Sequence, residues 1–535
     1  MRARSQPVEP TAPIWVWCLM GLVVLCSVVV RLRLLDVPLE RDEGEYAYMA
    51  QLILDGVPPY TQALSMKLPG IYAAYALILA LFGESTSGIH LGLMLVNVIT
   101  TVLVFLLART WLRDSGALAA AAAFAMLSVG QPVQGVFANA EHFVLPFIVG
   151  GLLTIQRSRG PGSRWRSLIF AGSLLGVGIL MKQHGAVLAA YGVILASGSG
   201  TDRNERVQRA AGVACGILLP YALTSAIFAA TGTFASFWFW TVRYASSYSS
   251  QLPLSSFAPN FMGSFSGILH ASPLLWTLAA LGLGGLWFTR RTRAAVPAIL
   301  AYVAFSFLAI CPGFFFRPHY FVLTLPAVAI LVGTAIEAAG TLLERRFTAV
   351  AAQIFACGIL LVATGDALAR QADFLFRMTP DQASRDTYGI NPFPESIEIA
   401  RYIRLNSDPG DRIAILGSEP QILFYSQRRS VTGHLYAYPL MEPHEFALDM
   451  QREVIGDIER GRPRFIVFVA IRTSWLRRPE SHDEIFDWFG PYSERNYRVV
   501  GQVEFRPGEP ARYHWGENLP PLPGNDPWIG VMERR

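Results

Sequence analysis

The sequence predicts a mainly α-helical polytopic membrane protein of about eleven spans, with juxtamembrane helices in its first outer loop and a soluble α/β domain at its C-terminal end. Three observations carry this. Of 535 residues, 52% are hydrophobic and only 16% charged, against roughly 25% charged in a soluble protein. Apolar runs that approach or exceed the ~20 residues needed to cross a bilayer as a helix recur as far as residue 366. From 367 onward the composition turns polar, charged and Pro-rich. The chain therefore divides into a membrane part, 1–366, and a water-facing part, 367–535.

Residues 1–12 are short, basic and polar. The run 13–30 has no small-residue cleavage site before Arg31, so it reads as a retained first span, not a removed signal peptide. Further spans are expected at 90–108, 117–136, 142–156, 168–182, 184–198, 210–230, 262–288, 295–313, 320–338 and 348–366. Residues 70–83 are apolar but too short for a span and read as an interfacial or re-entrant helix leading into the span at 90.

Charge orients the bundle. Cytoplasmic loops collect Arg and Lys. With the N-terminus in the cytoplasm, the inner side carries Arg2, Arg4, Arg109, Arg113, Arg157, Arg159, Arg164, Arg166, Arg203, Arg206, Arg209, Arg290, Arg291, Arg293, Arg345 and Arg346. The outer side, tail excluded, has only Arg31, Arg33, Arg41, Lys67, Lys182, Arg243 and Arg317. Every inner loop is basic. The first long loop, 31–89, and the tail are then extracytoplasmic, on a plasma (inner) membrane.

The tail reads as a small α/β unit. Residues 394–406 have helical spacing, 412–418 form a strand, and EPQILFYSQ opens a helix. Residues 464–470 form a strand buried on both faces, and 497–505 a third strand. Residues 506–535 read as loop. Cys18, Cys26, Cys215, Cys311 and Cys357 all fall in or beside spans, so no disulfide framework or CxxC metal site is expected. The net charge is +5, and no nucleic-acid partner is expected.

The chemistry concentrates in Arg31–Gly70, RLRLLDVPLERDEGEYAYMAQLILDGVPPYTQALSMKLPG. Asp36, Glu40, Asp42, Glu43, Glu45 and Asp55 lie close together, followed by Lys67. Charge beside a bilayer is costly unless it stays wet or has a partner. Asp42 and Glu43 have the chemistry to bind a divalent cation, Mg or Mn, or to act as a general base. They also suit the start of a helix over EYAYMAQLILDG. Asp36, Glu40 and Asp55 read as mostly solvated acids.

Lys67 is one of only two lysines beside forty-two arginines. A compact ammonium at the outer surface suits a phosphate held as a point charge; the bland reading is a snorkelling side chain. In FFFRPHYF (314–321), Arg317 and His319 suit a phosphate and Tyr320 can donate to it, while interfacial aromatics are ordinary anchors. Lys182 and His184 at one outer turn, and Asn139, Glu141 and His142 at another, are candidates for lining a cavity or are simply wet. His142 and His184 lack zinc spacing.

The order of these parts resembles a known group. A span, an acidic outer loop with DE then EYA, K-x-P-G, many spans, R-P-H-Y-F followed by LPA, and an outer α/β tail containing GSEPQILFYSQRRS are similar to the C-type glycosyltransferases. The likeness is narrower to their bacterial branch, related to protein O-mannosyltransferases and to the aminoarabinose transferase acting on lipid A. It covers nearly the whole chain. It implies a polyprenyl-phosphate-linked sugar donor in the lipid bilayer and a catalytic first-loop Asp, here Asp42. It further implies a lysine near the lipid phosphate, Lys67, and a nearby tyrosine, Tyr46. The chain departs at Glu45, where the aminoarabinose enzymes have an arginine; Arg317 is a replacement for that charge.

The function this implies is inverting transfer of a sugar to an envelope lipid, glycan or protein on the extracytoplasmic face. Asp42 is the general base, and Glu43 orients it or holds a metal. Lys67, Arg317, His319 and Tyr46 hold the donor phosphate. Glu141, Lys182, His184 and Tyr320 line the cavity. The alternatives are a transporter or lipid flippase and a non-catalytic envelope-assembly protein. Transporters tend to show repeats and midplane charges, whereas the charges here gather at one face and no repeat is evident.

Overall fold

The computed structural model describes residues 12–158, 165–506, 509–516, 518–521, 523–524 and 526–535. Arg2, Arg4, Arg159 and Arg164, four of the expected inner charges, lie outside the described residues. The first helices are α1 Ile14–Arg33, α2 Arg41–Leu54, α3 Gly70–Phe82, α4 Thr86–Arg109, α5 Asp114–Leu127, α6 Ala140–Arg157, α7 Trp165–Met181, α8 Gly185–Ser197 and α9 Arg203–Ala230. A short outer stretch, Phe234–Trp238 continued by a π-turn at Phe239–Tyr244, precedes Phe257–Ala271, Pro273–Gly285, Arg290–Ala309, Leu325–Leu343 and Ala349–Arg370.

Every expected span position holds a helix, but not every helix is of spanning length. Among the described residues six qualify by length and apolarity, or seven if the pair on either side of Ser272 counts as one. The segment expected at 117–136 stops at Leu127, because Gly130 and Pro132 turn the chain into the short 3₁₀ turn Gln131–Val133. The pair Leu254–Ala271 and Pro273–Gly285 bends by 103°. Pro273 has no N–H to continue the ladder, and the carbonyl of Ala271 accepts from Gln371 Nε2 at 3.4 Å. The segment Pro318–Leu343 is fully buried along its apolar window and forms the centre of the bundle.

The tail is a six-stranded mixed sheet in the order β2-β1-β3-β6-β4-β5. Its strands are β1 Arg412–Leu416, β2 Arg429–Ser430, β3 Phe465–Ala470, β4 Tyr497–Glu504, β5 Arg512–Trp515 and β6 Trp528–Arg534. β2, β1 and β3 are parallel, while β6 pairs antiparallel with both β3 and β4. The loop reading of 506–535 is thus corrected. Pro and Gly between Arg506 and Pro527 mask WIGVMER, yet that run supplies Ile529 and Val531, both fully buried, to the middle of the sheet.

The tail sits directly on the acidic loop. The short helix Gln421–Ser426 packs on α2, and Gly44 makes the contact possible. A Cβ there would lie 2.5 Å from the Gln421 backbone nitrogen. Leu64 and His434 add an isolated parallel β-bridge, with the Leu64 N–H donating to Gly433 O at 2.8 Å.

Candidate active site

Helix α2 fixes the geometry. Its N-cap is Glu40, whose carboxylate accepts from the Glu43 N–H while Glu43 reaches back to the Glu40 N–H, a reciprocal capping box. Glu40 is therefore buried and not the solvated acid expected of it. Burial, with Asp42 and Glu43 beside it, pushes its carboxyl well above the usual range. With the cap supplied by Glu40 and Glu43, Asp42 is released from that duty.

Glu43 turns to His90 and the Ala138 N–H and not to Lys67. It is fully buried. Its Oε1 is 2.9 Å from His90 Nε2 and accepts from the Ala138 N–H at 2.5 Å, and its Oε2 accepts from the Glu40 N–H. This corrects the expectation that it acts beside Asp42. With Glu43 committed to α4 and to the turn before α6, the two carboxylates offer no shared chelate. Among the described residues no group of three or more His, Cys, Asp or Glu gathers as a metal site. Asp42 and Glu43 therefore do not make the paired Mg or Mn ligand expected of them.

Asp42 and Glu45 are three residues apart, so they share a helix face, and both reach Lys67. Lys67 Nζ donates to Asp42 Oδ1 at 2.9 Å and to Glu45 Oε2 at 2.6 Å, and lies 4.6 Å above the Tyr46 ring. Glu45 is fully buried, and its other oxygen accepts from Tyr72 at 2.7 Å. Asp42 keeps 25% of its side-chain surface open and Lys67 15%. Burial pushes the Asp42 carboxyl up, but Lys67, His319 and Lys182 outweigh it and hold it well below the usual carboxylate range. Burial pulls Lys67 down, but its two carboxylates outweigh that and raise it.

The remaining expected residues form a second cluster facing the first. Lys182 pairs with Glu141 and lies 4.2 Å above the Tyr320 ring. His319 Nδ1 is 2.8 Å from Gln134 Oε1, and His319 Nε2 is 3.9 Å from Glu141. His184 stands edge-on to Tyr320 at 4.8 Å. Gly70 brings the clusters together. A Cβ there would lie 2.5 Å from the Leu180 carbonyl, so the glycine of K-x-P-G lets α3 start against the end of α7. Gln183 Nε2 donates to Met66 O at 2.7 Å, which ties the Lys182 turn to the Lys67 loop. Arg317 is exposed. Among the described residues its guanidinium has no hydrogen-bonding or ion-pair partner; it lies 5.7 Å from the Phe315 ring and feels Tyr248, Tyr320 and, more weakly, Asp42.

Sequence reasoning missed what the tail contributes. The Tyr436 hydroxyl lies 3.1 Å from Asp42 Oδ1 and 3.2 Å from the Arg41 carbonyl. Arg41 pairs with buried Glu419 at 2.9 Å and lies 5.3 Å from the Tyr438 ring. The available signal was GSEP, at the junction of an expected strand and helix, and HLYAYP, aromatics in a stretch assigned to neither.

Residues 66–228, under a third of the chain, match the family model described as dolichyl-phosphate-mannose-protein mannosyltransferase. That segment contains Lys67, Glu141, Lys182 and His184. The solved structure of ArnT from Cupriavidus metallidurans bound to undecaprenyl phosphate is similar over 96% of this chain and 98% of its own, at 16% identity and a TM-score of 0.58. The chain has the C-type glycosyltransferase fold. The archaeal oligosaccharyltransferase AglB from Archaeoglobus fulgidus, in complex with an inhibitory peptide and a dolichol-phosphate, is similar over 95% of this chain and 75% of its own. There the identity is 13% and the TM-score 0.55. No curated protein matches the chain in sequence. Fold and family segment agree on the class, a membrane glycosyltransferase, and the resemblance drawn from the sequence holds.

Proposed function

We propose that this glycosyltransferase moves a sugar from a polyprenyl-phosphate donor to an envelope lipid, glycan or protein on the extracytoplasmic face, with inversion. The observation that carries this is Asp42, a carboxylate kept ionised by Lys67 yet partly open. The solved relatives are bound to undecaprenyl phosphate and dolichol-phosphate, which supports a lipid phosphate here. The donor's isoprenoid lies among the spans and its phosphate near Arg317, which among the described residues pairs with no carboxylate. Lys67 has three N–H donors. Two serve Asp42 and Glu45, and the third faces Tyr436 loosely at 3.4 Å, so it is available to a phosphate oxygen.

Asp42 takes the proton of an acceptor hydroxyl as that oxygen attacks the anomeric carbon. The bond from that carbon to the phosphate oxygen breaks, and its electron pair leaves with the lipid phosphate. Base catalysis of this kind contributes ~10²–10⁴-fold, and cations stabilise the charge growing on the phosphate. Lys182, Glu141, His319, His184 and Tyr320 form the opposite wall of the site, and Tyr46 holds the Lys67 ammonium over its ring.

We place the N-terminus in the cytoplasm, the domain 367–535 outside, and read the helices at the eleven expected positions as the membrane-embedded set, the bent pair Phe257–Ala271 and Pro273–Gly285 counting as one. A reporter fused after residue 370 tests the orientation, and a cytoplasmic signal refutes it. Mass spectrometry of envelopes with and without the protein tests the reaction. Its loss should remove one sugar from an envelope glycan and leave the polyprenyl-phosphate sugar to accumulate. Loss of the same sugar with the lipid-linked sugar held on the inner leaflet supports the flippase reading instead, and an unchanged glycan refutes both.

A further inference from the structure

The tail touches the reacting carboxylate itself. The loop after β2 runs through Thr432, Gly433 and His434 beside the first outer loop and delivers Tyr436 to Asp42. The hydrogen bonds on Asp42 are one-sided. Oδ1 accepts from Lys67 at 2.9 Å and lies 3.1 Å from the Tyr436 hydroxyl. Among the described residues Oδ2 has no hydrogen-bond donor, while a quarter of the side chain's surface stays open. A carboxylate held through both oxygens would be a poor base for an incoming hydroxyl. One held through a single oxygen presents the other in a fixed direction.

Lys67 alone does not fix that direction, because an ammonium is a point charge on a flexible stem. The Tyr436 ring is itself fixed. It stacks on Tyr438 at 5.8 Å with the planes 11° apart, and the Lys67 ammonium sits 5.3 Å from its centroid. Lys67 Nζ also lies 3.4 Å from the Tyr436 oxygen. In that arrangement the hydroxyl oxygen faces the ammonium, and its one proton is shared between Asp42 Oδ1 and the adjacent Arg41 carbonyl, with the Glu45 carboxylate also in reach.

We propose that Tyr436, delivered by the soluble tail, is a positioning residue for the base: with Lys67 it holds Asp42 Oδ1 and so turns Oδ2 towards the acceptor hydroxyl. The tail is therefore part of the active site and not a cover over it. This rests on the reading of Asp42 as the base. In the step, the acceptor's proton passes to Oδ2, the acceptor oxygen bonds to the anomeric carbon, and the leaving pair goes to the lipid phosphate. Tyr436 neither gains nor loses a proton.

The test uses the full chain in liposomes, with a polyprenyl-phosphate sugar pool extracted from the producing cells and envelope acceptor from a strain lacking the protein. Tyr436→Phe removes one oxygen and keeps the stacked ring. It should lower kcat roughly tenfold, the size of one hydrogen bond to a charged group, with KM for the donor unchanged and a Tm no lower than that of the Tyr425→Phe control. Tyr425→Phe is the control for tail docking. Tyr425 accepts from the Leu39 N–H at 2.8 Å and lies 3.3 Å from the Thr86 hydroxyl, a tail-to-membrane contact with no group on Asp42. It should lower the Tm and leave kcat at the wild-type value. Wild-type kcat in Tyr436→Phe, with Asp42→Asn inactive, overturns the proposal and leaves the base reading standing. Equal losses of kcat and Tm in both tyrosine variants also overturn it, since the tail then acts only by docking. Activity in Asp42→Asn overturns the base reading on which both rest.

Discussion

Lys67→Met removes a charge and keeps most of the side chain's volume. Lys67 Nζ stands 2.9 Å from Asp42 and 2.6 Å from Glu45, and Glu45 is fully buried. One such pair is worth about 4 kcal/mol at ~4 Å and an effective dielectric of ~20, much of it offset by desolvation. The variant leaves the desolvation cost standing. Removing one partner of a buried pair costs about 3–5 kcal/mol, and here one ammonium serves two carboxylates. Tyr72 still donates to Glu45 and Tyr436 still reaches Asp42, which puts the loss near the lower end, ~3 kcal/mol. The pH dependence gives the sharper reading. In the wild type, Asp42 is held below its ordinary value, so its contribution is lost only as pH falls beneath the usual carboxylate range. Lys67 is raised, so its contribution persists through the usual lysine range. Without Lys67, burial dominates at Asp42, and protonation then stabilises the fold. The Tm difference between variant and wild type, followed in detergent from about pH 8 to about pH 4, should therefore shrink as pH falls. A constant difference, or a wild-type Tm throughout, would refute the assignment of Lys67 as the charge that holds this loop.

Gly44→Ala gains about 1 kcal/mol of helix propensity, but the new methyl meets the Gln421 backbone at 2.5 Å and 2.7 Å. Backbone cannot rotate aside, and overpacking costs about 1–3 kcal/mol, so a net loss of Tm is predicted. Arg317→Ala breaks no ion pair, so the Tm should hold while KM for the donor rises; an unchanged KM would remove Arg317 from the phosphate site. Glu43→Gln weakens a buried acceptor of three donors, and should lower stability by about 1–3 kcal/mol with kcat of the folded enzyme retained. A loss of kcat at wild-type Tm would return Glu43 to the catalytic group.

Much of the fold was legible because its signals are local. Apolar runs gave the helix positions, and β1, β3 and β4 fell within two residues of their expected bounds. Span length was less legible, because a helix such as Gly185–Ser197 owes its ends to packing and not to a change of composition. β6 was hidden because its partners, β3 and β4, lie far off in sequence. In the site, Asp42, Lys67, Glu141 and Lys182 were readable one by one as charges out of place among apolar runs, but the pairing of Glu141 with Lys182, on two separate turns in the sequence, was not. The difference between Asp42 and Glu43 was not. Neighbours on a helix point about 100° apart, and only His90 and the Ala138 N–H decide which of them is consumed. Tyr436 was unreadable for the same reason, since its role depends on a contact across nearly 400 residues of chain.

The most direct measurement is sugar transfer by Asp42→Asn, made beside its thermal unfolding and its insertion into the membrane. The substitution keeps the side chain's shape and a hydrogen bond from Tyr436 and removes the basic oxygen. The variant should insert and fold, lose the Lys67 ion pair, and transfer sugar at least about 10²-fold more slowly. A folded Asp42→Asn enzyme working at the wild-type rate would contradict it.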